Sequence, residues 1–356
     1  MAKQKKSALS EQKGVSQSEI TNISSINQIK KKRLKKISNN TLVSAILKKD
    51  ITALSKAITL IESKNPKHSN DAKAIIKSCL PHANKSIRIG ITGVPGVGKS
   101  TFIESFGMHL TSLGKRVAVL AIDPSSTITK GSILGDKTRM ESLVKDKNAF
   151  IRPSASGDSL GGVARKTRET IILCEAAGFD VIIIETVGVG QSETTVHSMV
   201  DFFLLLKLAG AGDELQGIKR GIIELADAIA INKADGDNIK RAKLAKVDFN
   251  RALHLYPEKS SNWQPKVTLC SALNNDGVSD IWEIVLSYVE TTSANNYFNK
   301  KRQEQNKFWL IQTIEEQLKS DFFNKSTIKK ALTEQLELID RNETTPFAAA
   351  DYLLSL

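Results

Sequence analysis

Apolar residues along this chain fall into short runs and into spaced patterns, and the two predict different elements. Most of the short runs are nearly unbroken, as is typical of parallel strands that are covered by helices on both faces. These runs lie at 87–92, 116–122, 149–153, 180–185, 201–208, 228–231 and 267–273. Several of them end in an acidic or amide residue, so the pattern predicts a mostly parallel α/β sheet with polar side chains at one edge.

Spacing of three and four residues between apolar positions predicts the helices. Two short helices broken near Asp50 are expected within 41–62, and after a loop at 65–68 another helix is expected over 71–80. Further helices are predicted at 101–113, within 131–146, and at 163–177, 237–255, 278–290, 303–319, 326–339 and 346–356. The sheet is therefore expected to be flanked by helices and to carry helical extensions at both ends.

A glycine-rich loop follows the first predicted strand and precedes a predicted helix. It fits the pattern GxxxxGK[ST] without a mismatch and consists of Gly93, Val94, Pro95, Gly96, Val97, Gly98, Lys99 and Ser100, followed by Thr101. Glycines let backbone N–H groups approach phosphate oxygens, and the helix N-terminus adds partial positive charge. Lys99 is predicted to reach the β- and γ-phosphates and Ser100 to bind Mg²⁺. The loop predicts a nucleoside triphosphatase but does not choose between ATP and GTP.

Two other predicted strands end in a carboxylate on the side of the sheet where ligands bind in open α/β folds. Asp123 is either a Mg²⁺ ligand or simply a turn residue before Pro124. Glu185 ends the strand at 180–185 and, with Gly188, forms a DxxG-like box in which glutamate replaces aspartate. Many GTPases place a water-orienting glutamine after that glycine, but this chain has Val189. Slow intrinsic hydrolysis is therefore expected, with a partner or a rearranged loop completing the site.

The choice of base rests on Asn232-Lys233-Ala234-Asp235, an NKxD box directly after the strand at 228–231. Asp235 can accept hydrogen bonds from the ring N–H and the exocyclic amino group of guanine, a donor pair that adenine lacks. The last predicted strand ends in Ser271, Ala272 and Leu273, which fit a loop that supports guanine in this context. The order of the boxes predicts GTP. A loop at 210–220 is either nucleotide-sensitive or purely structural.

The formal charge of +13 is concentrated at one end of the chain. Residues 1–40 carry ten Lys or Arg and two acids, so they form a basic tail that is expected to be disordered. Contact with nucleic acid or an anionic membrane is a weaker interpretation, and a mitochondrial presequence fits poorly because the segment is rich in lysine and contains acids.

The compartment is predicted from what the sequence contains and lacks. Cys79, Cys174 and Cys270 are widely spaced and are expected to be core residues in a reducing compartment. No apolar run reaches 18 residues, so a cytoplasmic protein without a membrane span is expected. The predicted divisions are a tail at 1–40, a helical segment at 41–84, a P-loop GTPase domain at 85–292 and a helical segment for dimerisation or docking at 293–356.

With these boxes in order, the chain resembles the methylmalonyl-CoA mutase-associated GTPases of the SIMIBI class, also known as arginine/ornithine (LAO/AO) transport-system kinases. The resemblance runs from about Leu42 to the C-terminus. Besides the P-loop and NKxD box, it rests on the stretches 57–63, 123–126, 131–140, 185–193, 212–220 and 345–350. The segment 154–159 departs from the family's usual Pro/Ser/Gly-rich sequence at Ala155 and Asp158.

The resemblance implies a homodimeric GTPase metallochaperone that gates adenosylcobalamin loading onto a cobalamin-dependent acyl-CoA mutase and protects that mutase. It also implies that Asp123, Asp136 and Glu185 are the acids on the Mg²⁺ side and that Lys219 is a charged residue of a third switch loop. One alternative is a kinase of amino-acid transport, which would need ATP and which the NKxD box argues against. Another is a nucleic-acid-associated GTPase that uses the basic tail.

Overall fold

The computed structural model describes residues 38–63, 65–122, 140–153, 160–186, 192–210 and 220–356. Seven parallel strands form one sheet in the order β3-β2-β4-β1-β5-β6-β7. The strands are β1 (Ile87–Gly93), β2 (Val117–Ile122), β3 (Ala149–Arg152), β4 (Val181–Thr186), β5 (Phe202–Leu208), β6 (Ala228–Asn232) and β7 (Lys266–Leu269). The parallel α/β sheet that the apolar runs predict is confirmed, and β1, which carries the glycine-rich loop, lies at its centre.

Helices cover both faces of the sheet and extend beyond it. Those before β4 are α1 (Asn39–Leu47), α2 (Ile51–Glu62), α3 (Pro66–Cys79), α4 (Lys99–Ser112), α5 (Glu141–Lys145) and α6 (Leu160–Ala176). Those after β4 are α7 (Ser192–His197), α8 (Arg220–Leu225), α9 (Ile239–Leu253), α10 (Val278–Ala294), α11 (Tyr297–Asn324), α12 (Ser326–Asp340) and α13 (Pro346–Leu354). Two short 3₁₀ turns lie at Leu80–His82 and Gly236–Asn238.

The predicted break near Asp50 is confirmed, and the structure shows its cause. The Asp50 carboxylate accepts hydrogen bonds from the backbone N–H groups of Thr52 and Ala53 at 2.7 and 3.1 Å, so it caps the start of α2. The loop predicted at 65–68 is wrong, because α3 begins at Pro66. Asn65 caps this helix by accepting from Lys67 N, and proline at the first helical position costs no hydrogen bond.

Other predicted boundaries also shift. Helix α6 begins at Leu160 rather than Val163, so residues 160–162 are not loop. Strand β7 ends at Leu269, so Ser271 to Leu273 lie in a loop beyond the strand. Helix α11 starts six residues earlier than predicted and spans 28 residues. The short helices α7 and α8 were not predicted, because six residues offer too little periodicity to detect.

Three buried apolar clusters hold the layers together. One lies between the sheet and the helices α1, α2, α3 and α6, so the amino-terminal helices share a core with the sheet. The second packs α4 and α10 on the opposite face, with Phe102 and Tyr288 fully buried. The third surrounds Phe249 of α9. The three cysteines are free and buried, as predicted, and none of the described helices is long and apolar enough to cross a membrane.

Candidate nucleotide-binding site

The glycine-rich loop joins β1 to α4 at the carboxyl edge of the sheet. Gly98, the residue before α4, has φ +93°, and a Cβ there would lie 2.9 Å from Asn232 Nδ2. A Cβ on Gly93 would lie 2.7 Å from the Leu206 carbonyl oxygen. Among the described residues no side chain caps α4, so the N–H groups of its first turn are available as donors to an anionic phosphate. The backbone thus forms a cradle that side chains at these glycines would fill.

Lys99 lies across this cradle. Its Nζ donates to the Gly93 carbonyl at 2.8 Å and to the Val94 carbonyl at 3.4 Å. Partial burial lowers the pKa of the amine, while the negative charges of Glu185 and Glu193 act in the opposite direction. The lysine is therefore held by weak, neutral acceptors within reach of two acids. A phosphate group offers a stronger, charged acceptor.

The acid predicted for the Mg²⁺ side lies beside the cradle. Glu185 is 8% exposed on β4, and its register partner on β1 is Ile91. One residue further, Thr186 Oγ1 donates to Thr92 Oγ1 at 2.8 Å, which joins the ends of the two strands. Ser100 is half-buried in the first turn of α4. A hydroxyl and a carboxylate are oxygen donors, so they fit the Mg²⁺ that accompanies a nucleoside triphosphate.

Several predicted residues lie outside the part of the chain that the structure describes. They are Asp123, Asp136, Gly188 and Lys219, together with Val189 at the glutamine position. Within the described part, no group of three or more His, Cys, Asp or Glu could hold a metal ion. The described metal side thus consists of Ser100 and Glu185, a set that needs phosphate oxygens and water to complete octahedral coordination.

The NKxD box is tied directly to the phosphate loop. Asn232 is 1% exposed, and its Nδ2 donates to the Val97 carbonyl at 2.9 Å while its Oδ1 accepts from Ala272 N at 3.1 Å. Lys233 has φ +58°, and its Nζ donates to the Gly96 carbonyl at 3.0 Å. The two side chains therefore join the end of β6 to the loop that is predicted to hold the phosphates.

The base-recognising acid is held by the loop after β7. Ser271 Oγ donates to Asp235 Oδ2, and Ser271 also forms a β-bridge with Asp276. Ser105 of α4 donates to Asn275 Oδ1 at 2.5 Å and so fixes the same loop to the phosphate side. Leu273 is 79% exposed beyond it. No residue in the described part of the chain donates to the other oxygen of Asp235, which is therefore available as an acceptor for a guanine edge.

The structure brings together the described predicted residues, although their roles remain predictions. At or just beyond the carboxyl ends of β1, β4, β6 and β7 lie the phosphate loop, Glu185, Asn232, Lys233, Asp235 and the loop of Ser271, Ala272 and Leu273. Sequence reasoning assigned no role to Glu193 or Ser105. Glu193 follows the DxxG-like box by five residues, a signal that was available, whereas nothing in the sequence pairs Ser105 with Asn275.

Comparison with known proteins decides the family. A family profile described as methylmalonyl Co-A mutase-associated GTPase MeaB matches residues 54–327. The chain belongs to this family. The resemblance proposed from the motifs is confirmed, and the chain is a GTPase of the mutase-associated family.

Individual relatives agree with this assignment. A putative GTPase of Caulobacter vibrioides is 51% identical over 307 residues, covering 86% of this chain and 94% of the relative. GTPase ArgK of Escherichia coli is 45% identical, covering 82% and 88%. The mitochondrial methylmalonic aciduria type A homolog of Mus musculus is 42% identical, covering 88% and 78%. A crystal structure of an LAO/AO transport system kinase aligns with a TM-score of 0.73 at 36% identity, covering 89% of this chain and 97% of that one.

Proposed function

We propose that this GTPase is a Mg²⁺-dependent metallochaperone that gates adenosylcobalamin loading onto a cobalamin-dependent acyl-CoA mutase and protects that enzyme. Methylmalonyl-CoA mutase is the first candidate partner, because the family takes its name from that association. The observation that carries the nucleotide assignment is the hydrogen-bonded link from the phosphate loop through Asn232 to the loop that holds Asp235.

In this proposal, different residues bind the phosphates, the metal ion and the base of GTP. The first turn of α4 and the loop glycines donate backbone hydrogen bonds to the phosphates, and Lys99 places its ammonium against the β- and γ-oxygens. Ser100 and Glu185, with Asp123 and Asp136 by family position, would hold Mg²⁺, whose charge would neutralise charge that develops on the phosphates. Asp235 accepts the two guanine donors, while Asn232 and Ser271 keep its loop in place. Gly188 and Lys219 belong to the loops that sense the γ-phosphate.

Slow hydrolysis by the isolated chain follows from Val189 at the usual glutamine position. The test is steady-state GTP turnover by the purified chain, alone and with methylmalonyl-CoA mutase from the same source. We expect slow turnover that rises severalfold with the mutase. Turnover that does not respond would leave the GTPase assignment intact and remove this partner.

We also propose that the carboxyl-terminal helices form a homodimer. Ile311, Ile314 and Leu318 follow a spacing of three and four on α11 and are 56%, 50% and 64% exposed. Phe347 on α13 is 83% exposed. Analytical ultracentrifugation of the chain should give a dimer, and Ile314→Glu should shift it toward the monomer. A wild-type chain that stays monomeric at micromolar concentration would contradict the dimer.

The alternative function is a nucleotide-dependent kinase of an arginine/ornithine transport system. Its support is that the structural relative with a TM-score of 0.73 is described as an LAO/AO transport system kinase. Competition binding separates the two proposals, because a transport kinase would prefer ATP, whereas the Asp235 geometry favours GTP.

A further inference from the structure

Helix α7 lies unusually close to the strand that carries the phosphate loop. A Cβ on Gly90 of β1 would lie 2.9 Å from Val196 Cγ1 and 3.1 Å from Val200 Cγ2, as well as 2.8 Å from the Phe203 ring. Glycine at this position therefore allows α7 and the residues after it to pack directly on the backbone of β1. The close packing fixes the position of α7 along the direction of β1, and so its distance from the phosphate loop.

The packing of α7 on β1 indicates where Glu193 lies relative to the phosphate loop. Glu193 precedes Val196 by three residues and so lies on the same face of the helix. Because α7 leads to β5, which starts at the amino edge, Glu193 lies one helical turn closer to the carboxyl edge than Val196. Three residues rise about 4.5 Å in a helix, and a strand rises about 3.3 Å per residue. For a helix that runs antiparallel to β1, these rises place Glu193 near the level of Ile91 and Thr92, next to Gly93, whose carbonyl binds Lys99.

The Glu193 carboxylate is buried without being fully satisfied. The residue is 2% exposed, and no group in the described part of the chain donates a hydrogen bond to its Oε2. Its charge nevertheless acts on Lys99 in the same direction as that of Glu185. A buried carboxylate oxygen without a donor is unfavourable, so such an atom needs an explanation in terms of a ligand, water or ion.

Lys99 is not the best candidate for the missing donor. Its Nζ already has two carbonyl acceptors and is expected to turn toward the phosphates. Glu185 and Ser100 would hold a Mg²⁺ ion that accompanies the nucleotide, and such an ion would keep several bound waters. These waters are strong donors, and a carboxylate at this depth is a suitable acceptor for one of them.

We propose that Glu193 is a positioning residue for the magnesium ion, accepting a hydrogen bond from its water shell behind Glu185. The inference rests on the proposed Mg²⁺–GTP site and adds a second acid to it. Glu193 acts through water and does not contact the phosphates. Its negative charge opposes binding of a metal-free nucleotide and favours the metal-bound one, so the two forms should respond to its removal in opposite directions.

The test uses the full chain with Glu193→Gln, which keeps the shape of the side chain and removes its charge. GDP and a non-hydrolysable GTP analogue are titrated in EDTA and across a Mg²⁺ series, with calorimetry as the readout. In EDTA the variant should bind up to a few-fold tighter than wild type, because a negative charge near the phosphates is removed. The Mg²⁺ concentration that half-restores the tight complex should rise about tenfold, as for loss of an outer-shell partner. Glu290→Gln, an exposed change of the same charge on α10, should leave both quantities unchanged.

Two results would overturn the inference. An unchanged Mg²⁺ midpoint would show that Glu193 does not act on the ion. An equal loss of affinity with and without Mg²⁺ would show that it serves only as the counter-charge of Lys99. If Glu193→Gln does not fold, Glu193→Asp carries the same test, because shortening the side chain withdraws the carboxylate and must also raise the midpoint. Failure of the wild-type chain to bind guanine nucleotide would instead refute the proposed function.

Discussion

Buried carboxylates at the amino edge of the sheet are fully paired, whereas Glu193 near the carboxyl edge is not. Glu175 accepts four hydrogen bonds, from Asn84 N, Ser86 Oγ and two nitrogens of Arg88, at 2.7 to 3.1 Å. Asp201 accepts from Arg88 N and twice from Arg302, at 2.6 to 2.8 Å. Glu193 is as deeply buried but has an oxygen that no described group bonds.

We interpret this difference as one of role, in which Glu175 and Asp201 stabilise the fold and Glu193 serves a bound ligand. The amino-edge carboxylates connect β1, α6 and β5 to α11, so they attach the carboxyl-terminal helices to the sheet. Other buried polar atoms near them are not all paired, since Arg168 Nη1 and Gln305 Oε1 lack hydrogen-bond partners in the described part of the chain. At Glu175 and Asp201 several donors offset the cost of desolvating the carboxylate, and a buried charge needs such donors to be stable. At the carboxyl edge the same offset has to come from nucleotide, metal and water.

The largest expected effect is on stability at the amino edge. Arg302→Met leaves Asp201 buried with only a backbone donor and also removes bonds to the Asn84 and Ser86 carbonyls. We expect the free energy of unfolding in urea to fall by about 3–5 kcal/mol. Arg341→Met, which breaks an exposed ion pair with Glu337, should cost less than about 1 kcal/mol. Equal effects of the two variants would contradict a structural role for the buried pair.

The second largest expected effect is on nucleotide affinity and not on the stability of the fold. Lys99→Ala removes the ammonium from the phosphate loop, so affinity for GTP should fall at least about 100-fold, which is about 2.7 kcal/mol. Its free energy of unfolding should change less than that of Arg302→Met, because the hydrogen bonds of Lys99 go to carbonyls of its own loop. Lys115→Ala, an exposed lysine after α4, is the control. GTP affinity that stays at the wild-type value in calorimetry would remove Lys99 from the site.

A smaller effect should appear as a dependence of stability on pH. Burial lowers the pKa of His197 from 6.5 to about 4, with Lys301 and Lys259 acting in the same direction and Asp227 against it. The folded state keeps the ring neutral, so its contribution is fully present above pH 6.5 and is lost as the pH falls toward 4. The loss is on the order of 2–3 kcal/mol.

His197→Gln removes this titration and provides the measurement. Unfolding free energies of the two proteins, determined between pH 7 and pH 4, should converge as the pH falls. The comparison of two variants isolates the histidine from the carboxylates that titrate in the same range. Parallel pH profiles would show that His197 does not differ between the folded and unfolded states.

The smallest expected effect is on the preference for guanine over adenine nucleotides. In Asp235→Asn one acceptor oxygen becomes a donor, so one of the two guanine hydrogen bonds is replaced by a repulsive contact. We expect the preference for GTP over ATP in competition binding to fall by a factor of about 30, on the order of 2 kcal/mol. Asp237→Asn, an exposed change two residues later, should keep the preference. An unaltered ratio in Asp235→Asn would place base recognition elsewhere.

Local patterns were sufficient to determine the sheet and the positions of its loops. Continuous apolar runs identify parallel strands because these are buried on both faces, and all seven predicted strands are present. The P-loop and NKxD box could be read directly, because their chemistry depends on residues that are adjacent in the chain. Boundaries failed where a cap or a single side chain decides the end, as at Asn65 before α3.

Only the tertiary structure decided which distant charges are neighbours. Glu175, Asp201 and Arg302 are separated by many residues, and no local pattern shows which acids will be paired in the folded chain. Pairing and desolvation depend on which elements pack together, and that depends on strand order, which is not encoded within any single segment. The sequence alone thus determined the family's motifs and the strands that carry them, while packing decided which carboxylates stabilise the fold and which lie beside the nucleotide site.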